Sequence, residues 1–382
     1  MSEWQKVKLD DCLELITYGF TNPMPDTAEG PWKITAKDIN GKIDFTTARH
    51  TSQEAFDNDL TDKSKPKEGD ILLTKDGTLG RLAIVGKEKI CINQSVALLR
   101  LKDGTINREF LYYLLLSPEY QGKMLADAGG STIKHIYITR VNQLMIPCPP
   151  MATQHRIATI LSRYDSLIEN YQKQIKLLEE AAQRLYKEWF IDLHFPGHEN
   201  TNIIDGVPEG WEKKKVGEIA EFKRGKTITK KDIVEGSVPV VAGGLEPAYY
   251  CNKHNTTGRV ITISGSGANA GFTRLYYEKV WASDCSFADT NTTKWLHFVY
   301  CFLQASKSAI DNMQKGAAQP HVYAKDINAL DIMVPDAELL IRFEDYASKY
   351  FNKVQSLQSQ LRLLTEARDR LLPKLMSGEI EV

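Results

Sequence analysis

The chain repeats itself at an interval of 186 residues, and this constrains its fold more than any other feature. Laid without a gap, the stretch from Gly130 to Pro150 places His135 on His321, Tyr137 on Tyr323 and Asn142 on Asn328. Leu144 likewise falls on Leu330, Ile146 on Ile332 and Pro149 on Pro335, and the register continues into the helical pattern that follows. Duplication of this kind predicts two similar modules related by pseudo-two-fold symmetry. Such a molecule suits a target that also comes in two halves, and duplex DNA is the commonest of these.

Each half reads as a strand-rich module followed by one long helix, an α+β architecture. The pattern predicts a first module over 1–150, a long helix over 151–195, a linker over 196–210, a second module over 211–336 and a second long helix over 337–382. The modules open in similar phrases at Trp4 and Trp211. β-Branched runs bounded by Gly, Asp or Arg predict strands in Gly69-Asp-Ile-Leu-Leu-Thr, Arg81-Leu-Ala-Ile-Val and Arg259-Val-Ile-Thr-Ile-Ser. Short helices are predicted at Arg108-Glu-Phe-Leu-Tyr-Tyr-Leu-Leu-Leu and Trp295-Leu-His-Phe-Val-Tyr-Cys-Phe-Leu. Elsewhere the two modules differ greatly.

The long helices carry a heptad seam. In the first, apolar residues alternate at spacings of four and three: Ile157, Leu161, Tyr164, Ile168, Tyr171, Ile175, Leu178, Ala182, Leu185 and Trp189. The repeat interval carries these onto Phe343, Ala347, Tyr350, Val354, Leu357, Leu361, Leu364, Arg368, Leu371 and Leu375, with Arg368 the only break. Pro149-Pro150 marks the start of the first helix and Phe195-Pro-Gly its end. Pro373 is expected to interrupt the last turns of the second, and Ser377-Gly378 to end it. Two such seams flanking a globular module predict an antiparallel coiled coil, about 50 Å long at roughly 1.5 Å per residue. Two independent surface helices would leave too much apolar surface in water.

Composition narrows the class. Lys and Arg number 48 against 49 Asp and Glu, a net charge of −1, and the stretches 1–150, 151–200, 201–336 and 337–382 each come within one charge of neutrality. A nucleic-acid-binding face would therefore be a local patch, unless a partner supplies most phosphate contacts. No stretch approaches the roughly 18 apolar residues of a membrane span, and Met1-Ser-Glu-Trp-Gln-Lys does not open a signal peptide. The six scattered cysteines form no Cys-x-x-Cys pair and read as reduced thiols of a cytoplasmic protein.

These features together resemble the specificity subunit of type I restriction–modification systems. The resemblance rests on the two module-plus-helix halves, the helix entry Pro149-Pro-Met-Ala-Thr-Gln-His-Arg-Ile, the closing Leu372-Pro-Lys-Leu-Met-Ser-Gly-Glu-Ile, and the phrase Gly69-Asp-Ile-Leu-Leu-Thr-Lys-Asp-Gly-Thr-Leu-Gly. It covers essentially the whole chain. It implies a non-catalytic protein whose two target-recognition domains each read half of a bipartite, asymmetric DNA site, with the coiled coil setting the spacer. It further implies two modification subunits that methylate adenine with S-adenosylmethionine, and two restriction subunits that use ATP and Mg, with no cofactor on this chain. The second helix entry, Pro335-Asp-Ala-Glu-Leu, lacks the Pro-Pro and Gln of the first.

Candidate DNA contacts are polar or basic residues in Gly-bearing loops: Lys33, Lys37, Lys75, Thr78, Lys134 and His135 in the first module, and Arg224, Lys226, Lys230, Ser266, Asn269, Gln319 and His321 in the second. Arg, Lys, Asn and Gln can address base edges, whereas many Lys contacts reach only phosphate. Lys75 follows an apolar strand, so its side chain is expected to project from the strand end. The two histidines share a repeat position, which favours a common structural or backbone role, because the modules should read different bases.

Enzyme motifs are not met. Lys223-Arg-Gly-Lys-Thr resembles the end of a phosphate-binding loop, but Ala220 stands where its first glycine belongs. Gly265–Gly271 misses the dinucleotide fingerprint by one residue. His194 and His198 have metal-like spacing without neighbouring ligands, and no metal site is expected. The rival readings are a coiled-coil adaptor that never touches DNA, a specificity subunit of a related system lacking a separate restriction subunit, and an enzyme of unrecognised type.

Overall fold

Burial is continuous along the central strands Ile71–Thr74 and Val260–Ser264, because each is covered on both faces. A computed structural model describes residues 4–126, 135–229, 233–314 and 320–382. Two compact units emerge: residues 1–169 with 362–382, and residues 170–361. They cut across the boundaries expected from the pattern, since each long helix contributes a segment to both units.

In the first unit, a four-stranded antiparallel sheet runs in the order Leu13–Tyr18, Val96–Leu101, Ile71–Thr74, Leu82–Ile84. Every residue of Ile71–Thr74 is buried. Ile71 and Leu73 join a core containing the helix Arg108–Leu116, whereas Leu72 joins a second core with Ile34, Ile90 and Ile92. Successive side chains of a strand point to opposite faces, so a strand buried on both sides reads as a continuous apolar run. A three-stranded sheet, Arg49–His50, Thr27–Ile34 and Ile90–Ile92, supplies the second cover.

The second unit repeats this plan with different residues. Its four-stranded order is Lys223–Arg224, Cys285–Asp289, Val260–Ser264, Thr273–Tyr276. Ile261 and Ile263 face the core that holds the helix Leu296–Ala305, while Val260 faces Val241 and Ala282. Its three-stranded sheet is Tyr249–Cys251, Val238–Val241, Trp281–Ala282, with one antiparallel and one parallel pairing, as in the first unit. The duplication thus survives as strand order where the sequence has diverged.

The repeat register is realised at the module closures. Lys6–Lys8 pairs with Met145–Pro147, and Glu212–Lys215 with Asp331–Val334. The Leu9 amide donates to the Leu144 carbonyl, and the Val216 amide to the Leu330 carbonyl, 2.8 and 2.9 Å.

The first long helix spans Met151–Phe190 and the second Ala337–Ser377. In the first unit, Ile157, Ala158 and Leu161 share a core with Leu372, Leu375 and Met376. Within the second unit, Ala182, Tyr186, Trp189 and Phe190 share a core with Leu340, Phe343, Ala347 and Phe351, and the Phe190 ring lies 5.0 Å from both Phe343 and Phe298. Every other seam position, from Tyr164 through Leu185 and from Tyr350 through Leu371, is buried or half-buried.

The two helix starts use different chemistry. In the first, the Pro150 carbonyl accepts from Thr153 and Gln154, while Gln154 Oε1 accepts from the Asn107 amide at 2.7 Å and Nε2 donates to the Pro149 carbonyl. In the second, Asp336 Oδ1 caps the Leu339 amide at 2.9 Å. The missing Pro-Pro is therefore replaced by a side-chain cap.

Two expectations are corrected. Pro373 does not interrupt the second helix, which continues to Ser377. Burial of Leu372, Leu375 and Met376 around it holds the turn despite the missing amide donor. The first helix stops at Phe190 rather than Phe195, and the chain turns through Leu193 at φ 61°. Phe190 and Phe195 bury in the same core, so the chain must reverse between them. The linker also carries structure, a hairpin pairing Ile203–Ile204 with Val207–Pro208. Asp205 and Gly206 at its tip have φ of 50° and 79°, the handedness that matches strand twist in a two-residue turn.

Candidate nucleic-acid interface

In the first unit, hydrogen bonds gather loops from distant parts of the chain at one end of the four-stranded sheet. Ser95 is the hub. Its Oγ accepts from the Ala36 amide at 3.1 Å, and its carbonyl accepts from the amides of Lys75 and Asp76 at 2.9 and 3.3 Å. The Gln94 amide donates to the Phe20 carbonyl at 2.9 Å. The Ile136 amide donates to the Lys75 carbonyl at 2.9 Å, and the His135 ring nitrogen meets the Asp76 carboxylate.

These bonds decide which candidates face solvent. Lys37 and Thr78 are exposed. Lys33 is engaged: its Nζ donates to the carbonyls of Met24 and Pro25 at 3.0 and 3.1 Å and pairs with Asp26, which also holds Arg49. Lys33, Lys37 and Arg49 line a shallow cavity of about 230 Å³ with Phe20, Thr35 and Asn93. Lys75 departs from expectation. Only 5% exposed, it lies 5.1 Å from the centre of the Tyr18 ring and donates to Asp76 at 2.7 Å. A buried ammonium requires such partners, so the side chain folds inward rather than projecting from the strand. Burial raises the Asp76 pKa, but the hydrogen bonds from Lys75 and His135 outweigh it and hold the carboxyl below its ordinary value.

The second unit gathers its loops in the same way. The Gly265 amide donates to the Asp284 carbonyl at 3.1 Å, the Gly267 amide to Pro320 at 3.1 Å, and the Val322 amide to Gly265 at 3.1 Å. Ser266 Oγ meets the Asp284 carboxylate, and Asn269 Nδ2 donates to the Gly243 carbonyl at 3.3 Å. Arg224 and Lys226 are exposed beside them. Gly225 between them donates to Cys285 at 2.8 Å, and a Cβ there would sit 2.3 Å from the Ser283 carbonyl oxygen. Close backbone approach thus fixes where these two cations emerge.

His135 and His321 occupy equivalent places. Each forms a β-bridge to the loop after its central strand, to Asp76 and to Ser266. The His135 ring meets Tyr137 edge-on at 4.8 Å, and the His321 ring stacks on Tyr323 at 5.9 Å. Lys134, Lys230 and Gln319 lie outside the described residues. Residues not singled out from sequence also stand here: the exposed Tyr18, Gln94, Tyr137 and Tyr323, and Arg274, which donates to the Leu245 carbonyl and to Glu246. The two tyrosines could have been found, because the repeat aligns them.

Among the described residues, no group of three or more His, Cys, Asp or Glu is placed to hold a metal ion. All six cysteines are free, and burial pushes the Cys91 and Cys285 thiols up to about 12. Among the described residues, no helix is long and apolar enough to cross a membrane.

Comparison with known proteins agrees with the geometry. The model of the type I restriction modification DNA specificity domain matches residues 1–180 and 208–339. The MjaIX specificity subunit of a type I restriction enzyme from Methanocaldococcus jannaschii is 29% identical, covering 92% of this chain and 87% of that protein. The HindI specificity subunit from Haemophilus influenzae is 22% identical over the full length of both. The crystal structure of a type I restriction–modification S subunit from M. genitalium shares the fold, with a TM-score of 0.63 at 23% identity, covering 98% of this chain and 96% of that one.

Proposed function

The chain belongs to the family of type I restriction–modification DNA specificity domains, and from that premise we propose that it is the non-catalytic DNA-recognition subunit of such a complex. Each unit reads one half of a bipartite, asymmetric target. One observation carries this reading: the two units repeat the same strand order and the same loop cluster, yet the exposed residues on those clusters differ. A repeated frame with unlike side chains suits two unlike half-sites.

The helices act as the spacer. The start of the first helix shares a core with the end of the second, and its end shares a core with the start of the second. That supports an antiparallel coiled coil with pseudo-two-fold repetition. Two modification subunits would bring S-adenosylmethionine and adenine methylation, and two restriction subunits ATP and Mg, in the cytoplasm. This chain would hold no cofactor itself. Near-neutral charge supports reliance on these partners for phosphate contacts.

Sequencing methylated adenines in cells that carry this chain and its modification subunit tests the proposal. The expected motif has two unlike half-sites around an unspecified spacer. Removing one heptad from each helix should shorten the spacer and leave both half-sites unchanged. A palindromic motif, or an unaltered spacer, would sink the reading.

A further inference from the structure

The loops at the two sheet ends are equivalent position by position, although the 186-residue alignment does not reach them. Asp76 bridges His135 as Ser266 bridges His321, and the Lys75 carbonyl accepts from Ile136 as the Gly265 carbonyl accepts from Val322. Gly77 and Gly267 follow at φ of 76° and 78°. The next residues, Thr78 and Ala268, are both exposed.

Within this common frame some side chains are kept and others are not. Tyr137 and Tyr323 are kept, 50% and 40% exposed, each beside its histidine. A cation lies over each ring, the Arg140 guanidinium at 5.4 Å and the Lys325 ammonium at 5.8 Å from the centre. By contrast Lys75 faces Gly265 across the equivalence, Asp76 faces Ser266, and Thr78 faces Ala268. The histidines have a structural task in closing the loops. Half-exposed tyrosine rings gain little from packing, so burial does not explain their retention.

We propose that Tyr137 and Tyr323 are matched contacts to the sugar–phosphate backbone, one for each half-site, and that Thr78 and Ala268 mark the loop tips that read bases. This rests on the recognition function above. The physical reason is that the backbone is the same in every half-site whereas the bases differ. Residues shared by the two units therefore fit the shared part of the target, and unlike residues fit the unlike part. A phenol hydroxyl donates to phosphate oxygen, and the adjacent cation adds attraction that carries no sequence information.

The test uses the full chain with its modification subunit, bound to duplexes carrying the mapped target, a scrambled sequence, and each single-base change. Tyr137→Ala and Tyr323→Ala should each weaken binding to target and scrambled duplex by a similar factor, about tenfold, as loss of a charge-assisted hydrogen bond predicts. The ranking of single-base changes should stay the same. Tyr137→Phe and Tyr323→Phe keep ring and fold and should show the same uniform loss. Thr78→Ala should change the ranking within one half-site only. If a tyrosine variant alters base preference, or leaves both affinities intact, the inference is overturned. A wild-type complex that binds no duplex overturns the recognition reading itself, and this inference with it.

Discussion

Arg368 on the second long helix donates from Nη1 to Asp165 Oδ1 on the first at 2.7 Å, and Tyr113 donates to the other oxygen of that carboxylate at 2.6 Å. The only break in the seam is thus answered by an acid on the facing helix. The repeat maps Asp165 onto Phe351 and Arg368 onto Ala182, and both of those are buried in the apolar core of the second unit. This polar contact therefore has no counterpart at the equivalent positions of the second unit. A polar position matched in only one arrangement specifies register, as buried polar residues do in coiled coils.

This crossing should be measurable as a coupling. Asp165→Ala and Arg368→Ala should each lower stability by about 1 kcal/mol, since both groups are about one-third exposed, and the double variant should lose less than their sum. Urea unfolding of the four proteins provides the cycle. Strict additivity would show that the pair is not coupled.

The apolar end should respond more strongly. Phe343 is fully buried and touches Tyr186, Trp189, Phe190 and Phe298 through its ring. Phe343→Ala should cost about 3–5 kcal/mol through lost burial and the cavity left behind. Replacing exposed Leu363 by Ala should change the unfolding midpoint little.

Gly225 permits no side chain. Gly225→Ala would drive a methyl group into the carbonyls of Ser283 and Ala282, so a loss of about 2 kcal/mol or more is expected. The displaced strand should also weaken contacts made by Arg224 and Lys226. Denaturation and DNA binding measured together check both effects, and a variant unchanged in each contradicts the argument.

Acid should weaken the first unit partly through Asp76. Its folded-state pKa is depressed, so its contribution is present above the unfolded carboxylate value of about 3.9 and is lost as pH falls through the folded value. Asp76→Asn should therefore flatten the decline in unfolding midpoint below about pH 4 relative to wild type. Parallel curves from pH 6 to pH 3 would exclude this role.

How much of this was legible beforehand follows from the range of the forces involved. Helix seams depend on spacing within one segment, so Ile157 through Trp189 and Phe343 through Leu375 announced themselves. Strands buried on both faces, such as Ile71–Thr74, announced themselves as apolar runs. The effect of Pro373 did not, because it is decided by what surrounds Leu372, Leu375 and Met376. The same holds for Lys75, whose direction is set by Tyr18, Asp76 and His135, residues that meet only when the sheet forms.

By itself, then, the sequence determined an α+β chain with an internal repeat, two heptad seams and two unlike modules, since periodicity and repetition are properties of neighbouring residues. Tertiary structure alone decided that both modules share one strand order and that scattered loops converge at one sheet end of each. It also decided that Arg368 finds Asp165, and that Tyr137 and Tyr323, which the repeat already aligns, are left exposed. Those outcomes depend on hydrogen bonds and packing between residues as many as 203 positions apart, and no local pattern encodes such contacts.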